Sequence, residues 1–216
     1  MTTGGLRDCV FLVADSNMQH VFQAFLTRER FHLSLGCGPF LFEPKEDLFV
    51  HSGGSDPGQY ERAHQILAPF TRTHRHAVVA LDADWDGSPG AEAIQDHICE
   101  NLAAIWTADR YCVIAIEPEL EAWVLQDSPH VSAAFHYNHH LPLRQWLRAC
   151  GHWPDGAAKP PRPKEAIEVL RRFTRIQRSG AVYGKVAAKV SAKRCVDPAF
   201  GRLATALSTW FPRETT

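Results

Sequence analysis

Residues 76–87 read His-Ala-Val-Val-Ala-Leu-Asp-Ala-Asp-Trp-Asp-Gly. Ala77 to Leu81 form a short apolar run of the length and composition of a buried strand. The run stops at three carboxylates in alternate positions, Asp82, Asp84 and Asp86, followed by Gly87. In an open α/β sheet, ligands collect in the crevice beyond the carboxyl ends of the strands. Acids this close repel unless a cation lies among them, and hard oxygen ligands suit Mg2+, Mn2+ or Ca2+. The stretch therefore predicts a divalent-metal site at a strand end, with Asp82, Asp84 and Asp86 as ligands.

Outward from that strand the chain alternates between two periodicities. Asp8 to Val13 reads as a first strand. It runs into Ala14-Asp15-Ser16-Asn17, where Asp15 or Ser16 can cap a helix carrying Met18, Val21, Phe22, Phe25 and Leu26 at helical spacing. Leu48 to His51 is a second strand. Asp56-Pro57-Gly58-Gln59 reads as a cap, a first-turn proline and a capping-box glutamine, opening a helix to about Pro69. Ser88-Pro89 repeats the cap-then-proline pattern after the acidic strand. Tyr111 to Ile116 is a fourth strand, ending in Glu117-Pro118-Glu119-Leu120-Glu121-Ala122-Trp123. The alternation predicts an α/β fold with a mainly parallel, Rossmann-like sheet and helices on both faces. No strand is evident after Asp127. Helices are expected near Leu143–Cys150 and over Pro163–Ile176, Ser179–Arg194 and Asp197–Phe211. The organisation expected is an α/β domain over residues 1–135 and a basic helical C-terminal extension over residues 136–216, packed on it.

Composition narrows the function classes. The 216 residues are 45% hydrophobic and 22% charged, ordinary for a water-soluble domain, and no apolar run approaches bilayer-spanning length. The N-terminal residues lack the pattern of a signal peptide, so a cytoplasmic location is expected and a membrane partner is not. The six cysteines include no C-x-x-C pair, which supports neither a zinc site nor a disulfide framework. The net charge of −1 conceals an asymmetry: residues 1–135 carry 8 basic and 19 acidic side chains, and residues 136–216 carry 15 and 5. An acidic half and a basic half in one chain suit a protein on which metal ions and a polyanion meet, although the halves can also neutralise each other across an internal interface.

In a parallel sheet, the ends of the first, third and fourth strands share one crevice. That would bring Asp15 and the Asp82/Asp84/Asp86 group to Glu117, Glu119 or Glu121, the acid content of a one- or two-metal phosphoryl-transfer site. In the basic half, Lys185, Lys189 and Lys193 recur at i, i+4 and i+8, preceded by Arg171, Arg172, Arg175 and Arg178 and closed by Arg194. On a continuous helix such a stripe binds phosphates through the backbone rather than reading sequence. No aromatic interleaving suggests single-strand stacking, and neither a helix-turn-helix nor a zinc-finger pattern is evident. The Asp82–Gly87 segment also looks like the start of an EF-hand loop, but Pro89 interrupts it and Ala93 stands where the loop needs an acid. His136, His139 and His140 are read as exposed loop residues rather than metal ligands.

Phe11-Leu-Val-Ala-Asp15, Val79-Ala-Leu-Asp82-Ala-Asp84 and Glu119-Leu-Glu121-Ala-Trp-Val-Leu-Gln-Asp127 together resemble a Toprim (topoisomerase–primase) domain. Within that superfamily the chain is most similar to a bacterial family of small Toprim-like proteins of unknown function, some found among phage-defence genes. The resemblance covers roughly the first 130 residues and implies a Mg2+- or Mn2+-dependent nuclease cleaving phosphodiesters. Asp82 and Asp84 would be metal ligands assisted by Asp86, with Asp15 and Glu121 also catalytic. Arg175, Arg178, Lys185, Lys189, Lys193 and Arg194 would hold a nucleic acid, DNA rather than RNA. Toprim domains place a Glu just after the first strand, where this chain has Ala14-Asp15. That departure favours the main alternative, a non-catalytic nucleic-acid- or protein-binding subunit of a defence complex. A nucleotide-sugar transferase, which also places D-x-D after a buried strand, would leave the basic half unexplained.

Overall fold

The computed structural model describes residues 5–50, 53–192, 195 and 197–214. Four strands, β1 (Arg7–Val13), β2 (Leu48–Val50), β3 (His74–Asp82) and β4 (Tyr111–Ile116), form one sheet in the order β2-β1-β3-β4, with every pair parallel. Helices α1 (Ser16–Leu26), α2 (Phe31–Leu35), α3 (Pro44–Asp47), α4 (Asp56–Leu67), α5 (Ala91–Leu102), α6 (Glu121–Val124) and α7 (Pro129–Ala134) fill the connections. The chain then continues through α8 (Leu143–Ala149), α9 (Pro163–Thr174), α10 (Gly180–Ala187) and α11 (Pro198–Trp210). The α/β class and the parallel sheet follow the sequence expectation. The parallel arrangement explains why β1, β3 and β4 read as near-continuous apolar runs, since both faces of such a sheet are covered.

Alternate residues of the strands enter two separate cores. Cys9, Phe11, Val13, Val78, Ala80, Ile114 and Ile116 face one side, with α1, α6 and the helices that follow it. Val10, Leu12, Ala77, Val79, Leu81 and Val113 face the other, with α4 and α5. The C-terminal helices therefore complete the first of these cores. Helix α10 lies against α1, and two glycines allow the approach: a Cβ at Gly180 would fall 2.6 Å from the His20 ring and 3.1 Å from the Ser16 carbonyl oxygen. One at Gly184 would fall 3.2 Å from the His20 carbonyl oxygen.

Capping follows the sequence pattern at some helices and departs from it at others. Asp15 caps α1, its Oδ1 accepting the Met18 N–H at 2.8 Å. The cap of α4 is Ser55, which accepts from the Gly58 N–H, and this frees Asp56 for another partner. Gln59 is fully buried and donates Nε2–H to the Ala80 carbonyl at 2.8 Å instead of closing a capping box. Helix α5 begins at Ala91 rather than at Pro89; the Ser88 hydroxyl donates to the Ala83 carbonyl and accepts from the Gly90 N–H at 3.2 Å, closing the turn before the helix. The helix expected over Ser179–Arg194 ends at Ala187. Beyond it the chain turns to bury Val190, whose carbonyl accepts from Arg28 at 2.8 Å.

The β1–β3 edge away from the crevice is held by a buried acid, Asp47, which is 1% exposed. Arg7 contacts both of its carboxylate oxygens, the Glu43 N–H donates to it, and His74 Nε2 lies 3.1 Å away. Burial alone would raise this carboxyl, but the bonds from Arg7, His74 and the Glu43 amide outweigh it and hold it down to about 2. A carboxyl depressed in the folded state stabilises above its unfolded value and loses that contribution as the pH falls through the folded one. Asp47→Ala should lower the unfolding free energy at pH 7 by about 3 kcal/mol in urea titrations, the size of a broken buried ion pair. It should also remove the component of acid destabilisation that the wild type shows between pH of about 4 and about 2. A neutral effect at both ends would contradict the role assigned to this pair.

Candidate active site

The strand order places a topological switch between β1 and β3. From β1 the chain crosses to β2 on one side, then over β1 to β3 and β4 on the other. The crevice at such a point, beyond the carboxyl ends of the strands, is where open α/β sheets bind ligands. Asp15 follows β1 and Asp82 ends β3, so both stand at its mouth.

Asp82 joins three segments. Its backbone N–H donates to Asp56 Oδ1 at 2.8 Å, drawing the first residue of α4 to the strand end. Its own Oδ1 accepts the Leu120 N–H at 2.7 Å, drawing in the loop between β4 and α6. That loop is further fixed by the Ala83 N–H to the Ile116 carbonyl at 2.9 Å and the Asp84 N–H to the Pro118 carbonyl at 3.0 Å. Burial, then the charges of Asp56 and Glu121, with a smaller push from Asp15, raise the Asp82 carboxyl well above the usual carboxylate range. Asp56 is likewise raised by burial and by Asp15, against the opposing bond from the Asp82 amide. Four acids from four parts of the chain thus sense one another.

Two acids after β4, Glu119 and the Glu121 just named, are nearly inaccessible. Glu121, 3% exposed, accepts from the Tyr183 hydroxyl of α10 at 2.7 Å. Glu119, 6% exposed, meets the start of α9: its Oε1 accepts the Lys164 N–H at 3.0 Å and its Oε2 lies 3.2 Å from the Lys164 ammonium. A carboxylate against the first turn of a helix gains from the helix dipole as well. Burial and Glu121 nevertheless raise the Glu119 carboxyl. Burial works to lower the Lys164 ammonium, but Glu119, Glu121 and Asp82 outweigh it, so the lysine stays firmly charged. The basic half therefore sends one cation and one hydroxyl into the acidic centre.

The other acids named from the sequence are placed differently. Asp84 and Asp86 are exposed in the turn that follows β3, with Gly87 at φ 81° completing it. Glu117 is exposed and lines a separate cleft of about 400 Å3 with Glu92, Asp96, Asp197 and Arg202. Of the basic residues, Arg175 and Arg178 are exposed after α9, Lys185 is exposed on α10, and Lys189 is exposed beyond its end. Lys193 and Arg194 lie outside the described residues. The i, i+4, i+8 stripe is therefore not carried on one continuous helix.

Sequence reasoning missed Asp56, Lys164 and Tyr183. Asp56 sits in a Ser-Asp-Pro run where either of two residues can cap, and only the position of Asp82 decides between them. Lys164 and Tyr183 come from helices whose docking no local pattern reveals.

An all-oxygen donor set with raised carboxyls suits a hard divalent cation in its chemistry. Among the described residues, however, no group of three or more His, Cys, Asp or Glu side chains is arranged to hold a metal ion. Also among the described residues, no helix is long and apolar enough to cross a membrane. No family model, curated protein or solved structure matches the chain.

A carboxyl raised by burial and repulsion costs folding stability once it ionises. The cost is absent below the unfolded value, grows as the pH rises from there, and is fully present above the folded one. Asp82→Asn keeps the acceptor for the Leu120 N–H and removes the charge. Without added metal at pH 8 this variant should melt about 2–4 °C above the wild type, corresponding to about 1 kcal/mol, and the gap should close near pH of about 4. A lower melting temperature at pH 8 would contradict the like-charge account of the cluster.

Proposed function

We propose that the protein is a Mg2+- or Mn2+-dependent hydrolase of nucleic-acid phosphodiesters, of Toprim-like type, with its active centre at Asp82. The observation that carries this reading is the convergence of Asp15, Asp56, Asp82 and Glu121 on the switch-point crevice, where burial and neighbouring acids raise the carboxyls of Asp82 and Asp56. Mg2+ is commonly held by one or two carboxylates, several waters and the substrate's own phosphates. Asp82 and Asp56 would hold the cation, with Asp84 within the same turn as an accessible further ligand. When bound, the cation would polarise a phosphate oxygen and lower the pKa of a bound water.

The chain's own residues supply the rest. Lys164, held charged by Glu119, would neutralise a phosphate oxygen at the rim of the crevice. The Tyr183 hydroxyl keeps Glu121 in place and oriented. Arg175, Arg178, Lys185 and Lys189 would hold the strand backbone, an electrostatic and sequence-independent contribution that weakens with salt. A place in phage defence, with protein partners, rests on the Toprim resemblance alone.

A second reading, a nucleic-acid-binding subunit without catalysis, is favoured by one specific feature. Asp15 stands where Toprim domains place a glutamate and is already engaged as the cap of α1. The two readings separate in a nicking assay on supercoiled plasmid and on labelled oligonucleotides with Mg2+ or Mn2+. Asp82→Asn should reduce cleavage by more than about a hundredfold, since even removing an outer-shell partner of a metal ligand costs about 10–100-fold. Cleavage that is absent from the wild type, or equal in both proteins, would discard the enzyme assignment.

A further inference from the structure

The fold assembles an aromatic surface that is scattered in the sequence. Tyr137 and His139 from the loop before α8, Trp146 from α8 and Phe173 from α9 form one contiguous group. Phe173 lies 4.8 Å from Trp146, 5.7 Å from His139 and 5.9 Å from Tyr137, measured between ring centroids. Tyr137 and Trp146 are 5.6 Å apart, and His140 extends the group at 4.1 Å from His139. Phe173 is 44% exposed in the last turn of α9, at the flank of the stripe buried through Ala166, Ile167 and Leu170. Its ring is packed at tilted and edge-on angles against three other rings and remains partly open to solvent.

The surroundings of this surface are cationic. Arg172 precedes Phe173, and Arg175 and Arg178 follow it; all three are exposed. Among the described residues none of the three forms an ion pair, whereas Arg144, Arg148 and Arg171 are matched by Asp127, Asp155 and Glu168. Open aromatic faces beside unmatched cations are what single-stranded nucleic acid requires: bases stack on the rings and phosphates lie against the charges. A duplex offers its bases no such contact.

Helix α9 also sets the distance between this surface and the acidic centre. Lys164, in its first turn, touches Glu119, and Phe173 lies nine residues further along. At the helical rise that is roughly 14 Å along the axis, and about two and a half turns separate the two side chains, so they leave α9 on opposite sides.

We infer that Phe173, backed by Tyr137, His139 and Trp146 and flanked by Arg172 and Arg175, is a stacking platform for an unpaired nucleic-acid strand. The platform deepens the proposed function and rests on its nucleic-acid substrate: it makes single-stranded or locally opened nucleic acid the substrate class.

The test is fluorescence anisotropy of the full chain with labelled 12-nucleotide deoxythymidine and uridine oligomers and a 12-base-pair duplex, in chelator so that no cleavage intervenes. The wild type should bind an oligomer more tightly than the duplex, and the tighter of the two oligomers assigns the sugar. Phe173→Ala should weaken oligomer binding by about tenfold or more, in line with the loss of one base–aromatic stack. It should leave duplex binding within about twofold, and Phe173→Trp should restore the oligomer affinity. Phe173→Leu keeps the apolar bulk and should still lose the stack, which separates stacking from folding. Oligomer binding indifferent to Phe173→Ala, an equal loss on duplex, or no oligomer binding at all overturns the platform. If the protein cleaves but strand binding ignores Phe173, the platform fails and the enzyme stands. Phe173-dependent binding without any cleavage supports the platform and removes the enzyme.

Discussion

The last residue of β3 ties together three segments that are distant in sequence. The amide of Asp82 holds the carboxylate at the head of α4, and its own carboxylate holds the amide of Leu120, so the ends of β3 and β4 and the start of α4 meet at one acid. Neither bond depends on bulk hydrophobic packing, and both concentrate negative charge at the opening of the sheet. The placement of Glu119 and Glu121, and through them of α9 and α10, follows from where that loop is pinned. The shape of the crevice depends on these two hydrogen bonds.

The charge asymmetry of the chain takes a specific form around this centre. The basic half does not merely offset the acidic half across a broad interface. It covers one face of the sheet with apolar helices, through Gly180 and Gly184 against α1, and inserts Lys164 and the Tyr183 hydroxyl where acids would otherwise face one another unmatched. The remaining arginines near the end of α9 stay at the surface, on the side where aromatic rings gather. One helix thus runs from the acidic centre to a cationic and aromatic surface.

Much of this was legible from the residues. The four strands, their parallel class and the cap role of Asp15 follow from short, near-continuous apolar runs and from short-range turn chemistry, which act within a few residues. What could not be read depends on partners far away. Ser55 and Asp56 are equivalent as caps until Asp82 claims one of them. Gln59 looks like a capping-box residue until the Ala80 carbonyl needs a donor. The lysine stripe of residues 185–193 presumes a helix that stops at Ala187, because Arg28, some 160 positions earlier, takes the Val190 carbonyl. The aromatic group is likewise invisible in sequence, since its rings come from two helices and a loop.

The cation site proposed at Asp82 would draw its carboxylates from segments distant in sequence. The most direct measurement is paramagnetic broadening of backbone amide resonances on titration with Mn2+. Broadening should appear first at Asp82, Leu120, Met18 and the beginning of α4, and should be displaced by excess Mg2+. Broadening confined to Trp85–Gly87, or to His139 and His140, would place the cation elsewhere and contradict the account.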